Sequence, residues 1–154
     1  MRKIEIYTDG GCRPKNPGDG GYAYVVIEND KVIDQHSSPV PDTTSSRMEL
    51  MAMLTALRSV KQNQYPEVTI YTDSQYAQRG ITEWKAGWIK KNWAAVKNSD
   101  LWKDIDSLLK EVPHVQVEWV KAHDTNKWNN HCDQLCTNTI LSRSLPTGNK
   151  VEQI

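Results

Sequence analysis

Ile6-Tyr7-Thr8-Asp9 and Ile70-Tyr71-Thr72-Asp73 are one tetrapeptide used twice, each time at the end of a run that alternates apolar and polar residues. Ile4 and Ile6 fall on one face of an extended chain, as do Val68 and Ile70, so residues 3–8 and 68–72 read as strands. Between them, residues 46–63 place Leu50, Leu54, Leu57 and Val60 on one stripe, the spacing of a helix that buries one side. A strand, a helix and a second strand imply a right-handed crossover and parallel strands. If those strands are neighbours, Asp9 and Asp73 emerge together at the carboxyl edge of the sheet, where open α/β folds place their sites. Either aspartate alone also reads as the opening of a turn, and only the repetition at one edge makes the pair a candidate site.

Residues 21–28 and 31–38 are two more β-rich runs, and the Asn29-Asp30 pair between them suits a tight hairpin, giving a three-strand antiparallel meander that Pro39 and Pro41 should end. Ser46, three residues before Glu49, forms a possible capping box, while Ala52 and Ala56 on the Glu49 side would let the helix lie close to a sheet. Shorter helices are expected over 74–80, 81–93 and 100–111, a last strand over 115–120 and a last helix over 128–141. Residues 1–141 thus make one catalytic-sized domain, and 142–154, with Pro146 and Gly148, read as a loosely ordered tail.

Nineteen basic and nineteen acidic residues give a net charge of zero, which alone speaks against nucleic acid, but the distribution is uneven. Arg79, Lys85, Lys90, Lys91, Lys97 and Lys103 face only Glu83 and Asp100 in the same stretch, and Trp84, Trp88, Trp93 and Trp102 are interleaved with them. Tryptophan with lysine suits a sugar–phosphate surface; the alternative is an amphipathic helix with its tryptophans in a core. Cys12, Cys132 and Cys136 are odd in number and lack zinc-type spacing, which points to a reducing compartment, the cytoplasm. No apolar run approaches the ~20 residues of a membrane span, so no membrane partner is expected.

Two carboxylates a few ångströms apart repel, and without compensation one keeps its proton. A divalent cation removes that penalty, and magnesium, which favours hard oxygen ligands and keeps several waters, fits aspartates and glutamates around an open cleft. Two such ions about 4 Å apart activate water and stabilise the departing oxygen of a phosphodiester. Glu49 and Asp133 are the further candidates, although spacing alone leaves Glu49 as a cap residue and Asp133 as a solvated one.

Asp9-Gly10-Gly11-Cys12, Asn16-Pro17-Gly18-Asp19-Gly20-Gly21, Arg47-Met48-Glu49-Leu50, Thr72-Asp73-Ser74-Gln75-Tyr76 and Gly80-Ile81-Thr82-Glu83-Trp84 follow one another in an order that resembles the cellular type 1 ribonuclease H family. The likeness continues through Trp88, Trp93, Asp100-Leu101-Trp102, Trp119-Val120-Lys121, His123 and Asn129 to Cys132-Asp133, and so covers roughly residues 3 to 140. It implies an α/β ribonuclease H-like fold, a five-stranded mixed sheet of three-strand antiparallel meander plus two parallel strands with helices on both faces. It implies an endoribonuclease that hydrolyses the RNA strand of RNA–DNA hybrids to 5′-phosphate and 3′-hydroxyl ends, acting as a monomer. Asp9, Glu49, Asp73 and Asp133 match the family's metal-binding acids, for two magnesium ions with manganese as a substitute, and His123 matches its loop histidine, which moves protons or assists product departure.

The same resemblance places Gly10, Gly11, Cys12, Asn16, Ser46, Gln75 and Asn129 along the groove that reads the RNA backbone and its 2′ hydroxyls, Thr44 on a DNA phosphate, and Trp84, Trp88 and Lys90 on a basic protrusion that meets the DNA strand. Departures from the pattern are Ser45 and Ser46 where asparagines are common, Ala122 and Asp124 where glycines flank the histidine, and a short, weakly basic segment after Trp93. They imply modest, salt-dependent hybrid affinity and a turnover and pH optimum peculiar to this chain. Two other functions stay open on the same scaffold: an integrase- or junction-type phosphoryl transferase, and a non-catalytic hybrid-binding module.

Overall fold

A computed structural model of the chain describes residues 2–144. In chain order these form β1 (Lys3–Cys12), β2 (Gly18–Glu28), β3 (Lys31–Thr43), α1 (Ser45–Asn63), β4 (Glu67–Thr72), α2 (Gln75–Arg79), a π-helical turn (Gly80–Trp84), α3 (Lys85–Lys90), α4 (Ser99–Glu111), β5 (Val115–Trp119) and α5 (Lys127–Ser144). The last helix runs on to Ser144, past the expected end at residue 141, and the rest of the expected tail, 145–154, lies outside the described residues.

The five strands form one mixed sheet in the order β3-β2-β1-β4-β5. The meander β1-β2-β3 is antiparallel, with Asn29 and Asp30 both left-handed (φ 54 and 58), as the hairpin requires. β4 lies parallel to β1 with Ile6 opposite Ile70 and Thr8 opposite Thr72, so the repeated tetrapeptides are side by side. β5 adds in parallel on β4.

Alternation along the strands sends Ile4, Ile6 and Ile70 to one face, against Leu50, Leu54, Leu57 and Val60 of α1 and Leu101, Trp102 and Ile105 of α4. The other face carries Tyr7, Ala23, Val25 and Ile27 under Cys132, Cys136 and Ile140 of α5, with Tyr7 stacked on Tyr71 at 4.7 Å. Burying these side chains at about 25 cal/mol per Å² holds the helices to both faces, so the expected fold class is the observed one.

Three local expectations need correction. Pro39 and Pro41 do not end the third strand but lie within it, Pro39 opposite Gly21. The strand is at the sheet edge, where a missing N–H breaks no ladder. The first helix is capped by Thr44, whose side chain accepts from the Arg47 amide at 3.2 Å, and not by a Ser46–Glu49 box. Residues 81–93 are not one helix: a π turn precedes α3, which ends at Lys90, and Asn92, Trp93, Ala95 and Asn98 all take left-handed backbone. Among the described residues no helix is long and apolar enough to cross a membrane.

Candidate active site

Asp9 sits inside β1, opposite Ala23 of β2, and is only 4% exposed. Its neighbour Gly10 explains how Glu49 reaches it. A β-carbon at residue 10 would fall on the Met48 carbonyl and the Glu49 nitrogen, so the backbone of α1 rests directly on the strand there. Asp73 follows β4 in a turn pinned on all sides. Thr8 Oγ1 donates to the Tyr71 carbonyl (3.0 Å), the Ser74 amide to Thr72 Oγ1 (3.0 Å), the Ala77 amide to Ser74 Oγ (3.1 Å), and Trp119 Nε1 to the Asp73 carbonyl itself (3.1 Å).

These constraints bring ligand oxygens of Asp9, Glu49 and Asp73 within 4.8 Å of one another. Asp133, on α5, stands beside them: its charge raises the pKa of both Asp9 and Asp73. Its own carboxylate meets Arg13 Nη2 at 3.5 Å and His123 Nδ1 at 3.9 Å. His123 lies in the loop between β5 and α5, is 77% exposed, and has a left-handed backbone (φ 54).

Electrostatically the cluster is under pressure. Burial, then the charge of Asp73, then Asp133 push the Asp9 pKa up to about 9. Burial likewise raises Glu49 well above the carboxylate range, with Asp9 and Asp73 adding repulsion. Asp73 is raised by burial too, although Glu49, His123 and Asn129 favour its charged form. Among the described residues the buried side-chain atoms without a hydrogen-bond partner are Asp9 Oδ2, Glu49 Oε1 and both amide atoms of Asn129. Buried polar groups are nearly always satisfied, and these gather in one place. Crowded hard oxygens without hydrogen-bond donors, whose charged forms repel one another, are what a divalent cation satisfies, so the residues present fit a metal.

The other expected site residues divide into two groups. Around the β1–β2 turn, Asn16 Oδ1 accepts from the Ser45 amide (3.0 Å) and Ser45 Oγ from the Cys12 amide (3.2 Å), tying the turn to the start of α1, where Thr44 and Ser46 also sit. The Cys12 thiol is buried and donates to the Thr43 carbonyl (3.5 Å), so the side chain is committed to the interior. Gln75 is exposed two residues after Asp73, at the start of α2. Trp84, Trp88 and Lys90 form the second group, on the π turn and α3.

Of the four interleaved tryptophans, Trp102 is wholly buried and donates through Nε1 to Tyr76 Oη (2.9 Å), while Trp84, Trp88 and Trp93 are half-buried and packed in series against one another. Lys85 is also committed, paired with buried Asp106 at 2.6 Å. Arg47 of α1 grips Asp100 with both nitrogens (3.1 and 2.8 Å) and so ties the acid-bearing helix to α4 beyond the tryptophans. Sequence reasoning passed over Arg13, Arg47 and Trp119 as site-supporting residues. Only Trp119 had a signal, since it immediately precedes the histidine loop.

Carboxylates gathered where two parallel strands cease to pair, with buried oxygens lacking partners, form an acidic cluster of the kind that can hold a metal ion. The RNase H family model matches residues 1–140, and this chain belongs to the RNase H family. It is 40% identical over 151 residues to a ribonuclease H of Treponema denticola, covering 86% of this chain and 93% of that one. It is 43% identical over 140 residues to a ribonuclease H of Hahella chejuensis, covering 88% and 91%. Among solved structures, LC11-RNase H1 in complex with an RNA/DNA hybrid superposes with a TM-score of 0.72 at 23% identity, covering 91% of this chain and 98% of that one.

Proposed function

We propose that the chain is an endoribonuclease that hydrolyses the RNA strand of RNA–DNA hybrids, leaving 5′-phosphate and 3′-hydroxyl ends, with Asp9, Glu49, Asp73 and Asp133 holding two magnesium ions. The relatives bear the name ribonuclease H, and a structural neighbour was crystallised on such a hybrid. The observation that carries the reading is the convergence of the Asp9, Glu49 and Asp73 oxygens within 4.8 Å, two of those residues having an oxygen buried without a partner.

Bound divalent cations supply an activated water and stabilise charge on the departing oxygen. The chain's own residues do the rest. Gly10 keeps Glu49 seated on β1, and Trp119 and the threonine pair hold the Asp73 turn, so the acids need no rearrangement when substrate arrives. In the reaction water attacks phosphorus, the bond to the 3′ oxygen breaks, and the phosphate stays on the downstream fragment. Exposed His123, its Nδ1 3.9 Å from Asp133, takes up and releases the protons that this exchange moves between site and solvent. In this reading Gly11 and Cys12 at the end of β1, with Asn16 in the turn after it, line the groove that meets a 2′ hydroxyl, the feature that separates RNA from DNA.

Manganese substitutes for magnesium in this reading. All three cysteines are free buried thiols, which suits a cytoplasmic monomer with 1–141 as its catalytic domain. The test is cleavage of a hybrid with each strand separately labelled, in magnesium and in chelator. Magnesium-dependent cutting of the RNA strand alone is expected; cutting of DNA duplex while the hybrid is spared would overturn the assignment.

A further inference from the structure

Arg13 belongs to neither the metal-binding acids nor the groove residues, yet its side chain is built into the site. It follows β1 in the turn to β2, where its amide donates to the Asp19 carbonyl at 3.0 Å. The side chain folds back over Gly11. A β-carbon at Gly11 would collide with Arg13 Nη1, so the glycine leaves the space that the guanidinium fills. Nη1 donates to the Cys12 carbonyl at 3.1 Å and Nη2 meets Asp133 Oδ1 at 3.5 Å, with the side chain only 34% exposed. Among the described residues the ion pairs to the four acids come from Arg13 and His123, both onto Asp133, and only Arg13 is charged at every working pH. Its field also reaches Asp9 and favours the charged form there.

We propose that Arg13 is a resident counter-ion that competes with a divalent cation for Asp133. In the ion-free chain the guanidinium neutralises the one acid that is not gathered with the other three. A cation that uses Asp133 must displace it from that oxygen and then share the site with its positive charge. The consequence is selective: binding that depends on Asp133 is weakened, while binding at Asp9, Glu49 and Asp73 is affected only through the more distant field. The inference rests on the reading of Asp133 as a metal ligand.

Calorimetric titration of the full chain with Mn²⁺, without nucleic acid, separates the two. Asp133→Asn should remove or weaken one component of Mn²⁺ binding; if it leaves the isotherm unchanged, the metal role of Asp133 fails and the present inference falls with it. Given that component, Arg13→Gln should tighten it at least about fivefold, and Lys15→Gln, which removes a charge from the same turn without a contact to Asp133, should change it less than about twofold. In the Arg13→Gln/Asp133→Asn double variant the gain should vanish. Unchanged or weaker Mn²⁺ binding in Arg13→Gln, or equal tightening in both single-charge variants, would overturn the counter-ion role while leaving the metal assignment intact.

Discussion

Asp9 illustrates how one buried side chain makes stability depend on both pH and metal. Its folded pKa, about 9, lies above the ordinary 3.8, so between these values the folded chain holds more protons than the unfolded one. The Asp9 contribution to the stability of the cation-free protein is therefore lost as pH rises through that window. Asp106 has the opposite sign. Burial opposes its charge, but Lys85 and Lys110 overcome that and lower its pKa, so its contribution is present above the ordinary carboxylate range and is lost on acidification below about pH 4. Asp9→Asn should accordingly raise the cation-free melting temperature at pH 8, by the equivalent of ~2 kcal/mol or more, and abolish its rise on adding magnesium. A lower melting temperature with an intact magnesium response would contradict the burial account. For the chemistry, Asp73→Asn should cost about 4 kcal/mol, ~10³-fold in rate, measured as single-turnover hybrid cleavage. The pairing of Asp9 with Asp73 was legible because the chain writes it twice; Glu49 and Asp133 were assigned through family likeness, and Arg13, a lone cation in a turn, carries no pattern at all.

Helices and strands were read from periodicity with more success in their existence than in their ends. The α1 stripe of Leu50, Leu54, Leu57 and Val60 is the observed core face, but the cap moved to Thr44 and the strand before it ran through two prolines. Both depend on place in the sheet: an edge strand tolerates proline, and edge position is a property of topology, not of residues 39–41. The π turn at Gly80–Trp84 was equally hidden, and it begins at a glycine packed against a ring distant in sequence. A β-carbon at Gly80 would strike the Trp102 indole. Gly80→Ala should cost about 1–3 kcal/mol by overpacking and shift chemical-denaturation midpoints with little effect on cation binding. Gly10→Ala behaves differently. It must push α1 off β1 and carry Glu49 with it, so both the melting temperature and Mn²⁺ affinity should fall. A variant that lost stability but bound Mn²⁺ normally would dissociate Gly10 from the placement of Glu49.

Taken as one body, the protein is neutral in sum but offers nucleic acid a divided surface. Of the six bases between Arg79 and Lys103, Arg79 pairs with Glu83 and Lys85 with Asp106, while Lys90, Lys91, Lys97 and Lys103 are exposed and form no ion pair among the described residues. Binding to a hybrid should therefore weaken steeply with salt, and Lys90→Ala should lower the slope of log affinity against log salt by ~1 if that lysine meets a phosphate. An unchanged slope would remove Lys90 from the interface. The parallel pairing of β1 with β4 reaches further than the fold. Adjacent strands stand about 4.8 Å apart because amide hydrogen bonds have one length, and Asp9 and Asp73 each follow directly on a paired threonine. The gauge between those two acids is thus cut by the peptide unit itself. Mutation can change which ion sits there, how tightly, or what it attracts, but widening the gap would mean unzipping the middle of the sheet.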